Sequence, residues 1–465
     1  MEDRSLAAEW TNQTDLHPLG LAAAIVLGLI ALLLPRRYAI LPLILMCCFV
    51  APGQRLVIAT LDFTLLRIMV LVVWLRMLVR GEIKRFTWKT IDTLVLAAGV
   101  TELIAFTMLY MSGPAFVRQL GNMFDLVGMY FAFRLLIRDW RDFDRAMLVV
   151  LLVSIPVAIS FLFEAATRQN VFSIFGGVPE ITPERQGRLR CQGAFPHPIL
   201  AGCFWAGFLP IFASRWWRGG RQRVLAVVGV ITSGIMVYTS ASSTPLLGAI
   251  GAVLAALMFL VRDYLRLIRW TIVALLTMAH FMMNNGVWHL LIHVNVVGGS
   301  TGWHRYYLID QAINHFREWA LFGTKATAHW GLGLQDVTNH YILQGVRGGI
   351  ATMVLFIAVI VAAFRAVGRM TRAAGKNKAL LAASWALGVS LFVHCLQFIG
   401  VAYFGGQLML AWYILIAAIA TLSPVPQPAA ARDRRRRRAP QDALRRPQIS
   451  PLPPGTSMGR SEHAR

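Results

Sequence analysis

The sequence predicts an all-α polytopic membrane protein with about 13 (12–14) transmembrane helices. Three observations predict it. Of the 465 residues, 57% are hydrophobic and only 14% charged, which is too apolar for an ordinary water-soluble domain. Apolar runs recur near 18–34, 38–52, 57–75, 91–112, 115–133, 143–163, 194–213, 224–240, 244–261, 267–283, 348–364, 379–400 and 403–422. Most approach the roughly 20 residues that cross a bilayer. The basic residues between those runs fall almost entirely on alternate connections.

In chain order, an acidic segment at 1–17 (Glu2, Asp3, Glu9, Asp15) precedes the first run, with no basic stretch of the kind that opens a cleaved signal peptide. Arg36 and Arg37 follow that run. The second run is short and reads as either re-entrant or spanning. Arg76, Arg80, Lys84, Arg85 and Lys89 follow the third run, and Arg134, Arg138, Arg141 and Arg145 the fifth. Arg215, Arg218, Arg221 and Arg223 follow the seventh, and Arg262, Arg266 and Arg269 the ninth. Arg365, Arg369, Arg372, Lys376 and Lys378 follow the eleventh, and the tail adds ten arginines. The positive-inside rule puts these connections in the cytosol, the N-terminus outside and the C-terminus inside.

Helices 1–10 are thus expected within 18–283 and helices 11–13 within 348–422. One outer loop is expected at 164–193 and a long one at 284–347. The formal charge of +23 is mostly topological and needs no nucleic acid. The tail, 423–465, reads as a disordered basic cytosolic segment that either anchors topology or touches anionic lipid. The five cysteines have no framework or metal spacing.

Two charges fall within apolar runs. Arg67 lies some eleven residues into the third and Glu102 midway along the fourth. An unpaired charge at that depth costs several kcal/mol, so the two are expected to pair. Arg118 opens the fifth run, at the outer surface, where it can snorkel or face a cavity.

The outer loops hold the remaining chemistry. The first carries Arg185, Arg188, Arg190 and then His197 between two prolines. Arginines there run against the orientation bias, and their planar fork suits phosphate oxygens. His197 is a candidate proton shuttle or, more plainly, a helix cap. In the long loop, 301–322 reads as an amphipathic helix with Ile309, Ala312, Ile313, Phe316, Trp319 and Ala320 on one face. Arg305 falls on the centre of that apolar face, so it points into the protein or snorkels. Lys325 follows, then Asn339-His340-Tyr341 and Arg347-Gly348-Gly349. His340, close to the membrane entry, is the candidate base, with His197 behind it. His289-x3-His293 lacks the glutamate of a zincin helix. Asp142-x-Asp144 reads as solvated charge among Arg138, Arg141 and Arg145.

These stretches resemble the O-antigen ligase and O-antigen polymerase superfamily of bacterial envelope proteins. The matching residues are Arg188-Leu-Arg190 through Gly193-Ala-Phe-Pro-His197-Pro198 to Gly202, Thr239 to Pro245, Gly302-Trp-His304-Arg305, and Asn339-His340-Tyr341 leading to Arg347-Gly348-Gly349. The likeness covers 20–422 and is greatest to the branch of exopolysaccharide clusters. One departure is the order Asn-His-Tyr, where the family usually places histidine first.

The resemblance implies a GT-C-like glycosyltransferase of the bacterial cytoplasmic membrane that needs no metal or other cofactor. It would act at the outer face on an oligosaccharide linked to undecaprenyl diphosphate, within membrane lipid. It would either polymerise that glycan or, as a ligase, hand it to a glycan or lipid acceptor. A transporter of the lipid-linked glycan, or a non-catalytic partner of polysaccharide export and assembly proteins, stays open. On this reading Arg188, Arg190 and Arg305 clamp the diphosphate, with Arg118, Lys325 and Arg347 as further substrate contacts.

Overall fold

The computed structural model describes residues 14–424 other than 59–60, 84–86, 285, 294–301 and 405. Expectations about residues 1–13, the basic pair at 84–85, the cap at 300–301 and the tail from 425 lie outside the described residues. The described residues are mostly helical, at 76%.

In order it forms α1 (Pro18–Leu33), α2 (Leu41–Phe49), a hairpin of β1 (Arg55–Ile58) and β2 (Leu61–Thr64), α3 (Leu65–Val79), α4 (Thr90–Tyr110) and α5 (Gly113–Met123). A π-helical turn (Phe124–Gly128) leads to α6 (Met129–Leu136), then α7 (Trp140–Thr167) and a second hairpin, β3 (Glu184–Arg185) with β4 (Arg188–Leu189). There follow α8 (Pro198–Ser214), α9 (Arg221–Thr239), α10 (Ser243–Leu257), α11 (Leu265–Met282), α12 (Gly302–Asn314), α13 (Phe316–Trp319), α14 (His340–Ala374), α15 (Lys378–Gly400) and α16 (Gln407–Leu422). Among the described residues seven helices are long and apolar enough to cross a membrane: α4, α7, α8, α9, α11, α14 and α15. The helices α1, α10 and α16 are apolar but shorter.

The second apolar run resolves into nine helical residues followed by extended chain. Gln54 then accepts from the His17 N–H at 3.1 Å, beside the start of α1, while Asp15 bridges to Arg55. At the other end of α1, Arg76 of α3 donates to the Ala31 and Leu34 carbonyls at 2.5 and 2.6 Å. Residues 37–54 therefore retrace the whole length of α1, about 24 Å at 1.5 Å per residue. The third run begins later than its hydropathy implies. Residues 55–58 pair antiparallel with 61–64, and Thr64 caps α3 by accepting from the Arg67 N–H at 3.2 Å.

Polar contacts sort the bundle into two ends. At one end Arg36 and Arg145 bind Asp142, Arg215 and Arg218 bind Asp144, Arg134 binds Asp92, and Lys89 donates to carbonyls at the close of α16. The Asp142 side chain is 6% exposed, so it is a buried tie rather than solvated charge. At the other end the ties are separate pairs: His17 with Gln54, Gln54 with Gly176, Cys191 with Thr239, Arg190 with Ser242, Arg305 with Thr244, Tyr110 with Lys325 and Tyr403 with His340. Each of these ties joins residues that the charge alternation assigns to the same side.

The core runs along α8, whose Phe204, Trp205 and Phe212 are fully buried, and along α16 beside it. No side chain of α11 is buried. The expected amphipathic helix 301–322 is two helices, broken at His315, and α14 starts at His340 rather than near 348. Within α14, Gly348 and Gly349 leave helical geometry, Gly349 at φ 72°. The segment after α13 docks at that break. Ile350 N–H donates to Ala320 O at 2.8 Å and Thr324 N–H to Val346 O at 2.9 Å. A Cβ at Gly349 would lie 2.3 Å from Leu321 O, and one at Gly323 (φ 91°) 2.1 Å from Val346 O. Backbone freed by the break is thus satisfied by the loop, as buried polar groups require.

Candidate functional site

A cavity of about 240 Å³ opens between α3, α4, α5, the π turn, α14 and the 403–409 segment. Five of the residues singled out by sequence line it: Arg67, Glu102, Arg118, His340 and Arg347. Asn122, Asp125, Gln344, Tyr403 and Met409 complete much of the wall. His340, Gln344 and Arg347 share a face of α14 because they are four and seven residues apart. The π turn carries Asp125 and Leu126 to the cavity, a local irregularity of the kind that often marks function.

Arg67 does not pair with Glu102. Its Nε and Nη2 bind the two Asp125 oxygens at 2.8 and 2.7 Å, and Nη1 donates to Asp62 O. The reason is the hairpin: α3 starts at Leu65, so Arg67 sits in its first turn rather than at mid-span. Glu102 instead bonds Gln119 and feels the charge of Arg347. Among the described residues Glu102 and Arg347 have no carboxylate–guanidinium contact within ion-pair distance.

His340 is 2% exposed. Its Nδ1 accepts from the Tyr403 N–H at 3.2 Å, and its ring stacks on Phe398 at 4.8 Å. The neutral ring therefore carries its proton on Nε2, 3.3 Å from the Gln344 amide nitrogen; that amide can accept from the ring only with its oxygen turned toward it. In this state it is a donor. Its chain neighbours Asn339 and Tyr341 are occupied elsewhere. Asn339 Oδ1 caps α14 through the Tyr341 and Ile342 N–H groups, and Tyr341 donates to Cys395 O.

A second cluster lies at the start of α10. Arg190 Nη2 donates to Ser242 Oγ and Arg305 Nη2 to Thr244 Oγ1, both at 2.9 Å. Arg305 points inward, 7% exposed, as its place on the apolar face of α12 implies. Neither arginine has a carboxylate partner among the described residues, and the Nε of each is buried without an acceptor. Burial lowers both guanidinium pKa values, with Arg185 adding to the effect at Arg190. The 188–193 loop is held by Glu164, which accepts from Gln192 N, Gly193 N and Thr182 Oγ1 at 3.0–3.1 Å. That carboxylate is used up on backbone and hydroxyl donors and leaves Arg190 unneutralised. Each guanidinium is thus anchored to a hydroxyl at the start of α10, where a helix N-terminus also favours an anion.

The clusters adjoin. Gly400 lies against Arg305 and Thr244, where a Cβ would come within 3.0 Å of both, and Tyr403 lies against His340. Three residues of chain separate these contacts by at most about 11 Å.

Other expected site residues stand apart. His197 caps α8, accepting from Ile199 N–H at 3.1 Å; it is outside the cavity lining but within range of the Arg190 charge. Burial, followed by Arg190 and Arg185, lowers its pKa to about 4. Arg188 is exposed on the second hairpin. Lys325 sits over the Tyr110 ring at 5.6 Å, outside the cavity lining. Gln344, Asp125, Tyr403 and Glu164 escaped the sequence reading. A helix start at His340 would have revealed Gln344; the other three depend on tertiary contacts.

No protein-family model matches the chain, and no curated protein matches it either.

Proposed function

We propose that the protein is a membrane glycosyltransferase of about 13 helices in a GT-C-like arrangement. It transfers glycan from undecaprenyl diphosphate to a hydroxyl of a second lipid-linked glycan, and so acts as a polysaccharide polymerase. The N-terminus and the Arg190–Arg305 end face outward from the bacterial cytoplasmic membrane, with the C-terminus in the cytosol. Export and assembly proteins are its proposed partners.

One observation carries this reading: Arg190 and Arg305 are each anchored to a hydroxyl at the start of α10, with no carboxylate partner among the described residues. Displacing diphosphate from an anomeric carbon develops negative charge on the leaving group, and preorganised cations stabilise it in the transition state. Hydrogen bonds to charged groups contribute about 1.5–3 kcal/mol each. Adjacent to that pair, the cavity offers donors (His340, Gln344, Asn122) for sugar hydroxyls. A strain lacking the gene tests the assignment. Accumulated single repeat units support polymerisation, whereas full-length unattached polymer assigns a ligase.

The depth of Glu102, Asp125 and Arg347 favours a second reading, a transporter of the lipid-linked glycan, because ionisable groups inside a membrane often line translocation paths. Proteoliposomes that move labelled glycolipid across the bilayer without lengthening it would establish this reading instead.

A further inference from the structure

We infer that Glu102 is the general base that accepts the proton of the attacking sugar hydroxyl. This rests on the glycosyl-transfer reading above.

The two carboxylates of the cavity differ in what they can do. Asp125 is held by both arms of the Arg67 fork at 2.7 and 2.8 Å. Protonating it would break a bidentate ion pair. Glu102 has one neutral side-chain partner, Gln119, and no ion pair among the described residues. The residue is 8% exposed yet lines the cavity. It lies eight residues below Tyr110 on α4, about 12 Å from the end of the helix.

The histidines are less suited. His340 has its Nδ1 lone pair engaged by Tyr403 N–H, so Nε2 donates. His197 has its Nδ1 engaged as the cap of α8. Among these four groups Glu102 alone combines a cavity position with free basic lone pairs.

The leaving diphosphate is placed at Arg190 and Arg305, beyond Gly400, and the base on the cavity side of Tyr403. In the step, Glu102 takes the acceptor O–H proton while that oxygen bonds to the anomeric carbon. The bond from that carbon to the diphosphate oxygen breaks, and its electron pair leaves with the polyprenyl diphosphate. The proton passes from Glu102 to the released diphosphate or to water. A single displacement inverts the anomeric configuration.

Charged and titratable groups face Glu102 from every side. They are Arg67 on α3, Arg118 on α5, Asp125 on the π turn, His340 and Arg347 on α14, and Tyr413 on α16. The pH response must therefore be compared between variants rather than read from one protein.

The experiment uses the full chain in nanodiscs with lipid-linked oligosaccharide extracted from cells that lack it. Glu102→Gln preserves shape and the Gln119 contact. It is expected to lower turnover about 10²- to 10⁴-fold, the usual contribution of a positioned base, with KM near the wild-type value. The wild-type rate is expected to fall on the acid side with a limb that Glu102→Gln lacks, and Glu102→Asp to retain more activity than Glu102→Gln. Glu102→Gln turning over like wild type overturns the assignment. Equal losses in both variants with the acid limb intact overturn it too, leaving Glu102 a positioning residue. Wild-type protein that binds the oligosaccharide but never lengthens it overturns the glycosyl-transfer reading itself.

Discussion

Arg305 donates to Thr244 Oγ1 at 2.9 Å and is buried among groups that cannot neutralise it. A guanidinium has five N–H donors, and here Nε is buried with no acceptor. Leaving a buried charge unpaired is costly, and mutation usually removes such groups unless function retains them. The contrast with Arg67 and Arg134 is direct: each of those binds a carboxylate.

Arg305→Met should separate stability from function. The thioether chain fills similar space without charge, so the ligand-free protein is expected to gain about 1–3 kcal/mol, the scale of an orphaned buried donor. Glycan transfer should fall by about 10²-fold or more, as when a preorganised donor is lost. Arg305→Lys should rescue poorly because a point charge cannot reproduce the fork. Thermal unfolding in detergent and a transfer assay check both halves. Lower stability together with normal transfer would show Arg305 to be a structural tie.

His340 lends itself to a paired test. His340→Asn keeps an acceptor where Nδ1 meets Tyr403 N–H but loses the Nε2 donor. His340→Gln keeps a donor near Nε2 but abandons Tyr403. The expectation is that the asparagine variant unfolds near the wild-type temperature yet transfers glycan poorly, while the glutamine variant is the less stable one. If both retain full transfer, His340 serves packing against Phe398 alone.

The helical, membrane-spanning character was legible in the sequence because hydropathy acts over whole segments. Among the described residues seven helices are long and apolar enough to cross a membrane, and the inward direction of Arg305 followed from the period of α12. What failed was local. Residues 55–64 are apolar enough to extend a helical run, but Arg55 pairs with Asp62 across a hairpin, and that shift moved Arg67 away from Glu102. The start of α14 was missed because Gly348-Gly349 looks like a helix boundary. It is a break within one, satisfied by residues 320–324, a partner no local pattern announces. Glu164 and Tyr403 act only through tertiary contacts, so periodicity could not find them.

Sidedness is open to reporter fusion. Reporters at Gly81, Gly219 and Gly375 should read as cytosolic, and those at Gly177 and Gly333 as external. The first three adjoin the basic end of the bundle and the last two the end that holds Arg305. Two or more reversals would sink the parity assignment.

The His197 pKa of about 4 predicts a particular pH response. In the unfolded chain this imidazole titrates near its ordinary value of about 6.5. Between those values the unfolded state binds the proton and the folded state does not, so acid favours unfolding. The contribution of His197 to stability is therefore complete above about pH 6.5, falls as pH drops toward 4, and changes no further below that. Burial is the leading cause, followed by the nearby charges of Arg190 and Arg185. His197→Asn keeps an acceptor for the Ile199 N–H and removes the titration. Its unfolding temperature should track wild type at pH 7–8 and lie above wild type near pH 5. Curves that stay parallel down to pH 4 would mean that His197 meets solvent freely and that the Arg190 cluster is open rather than enclosed.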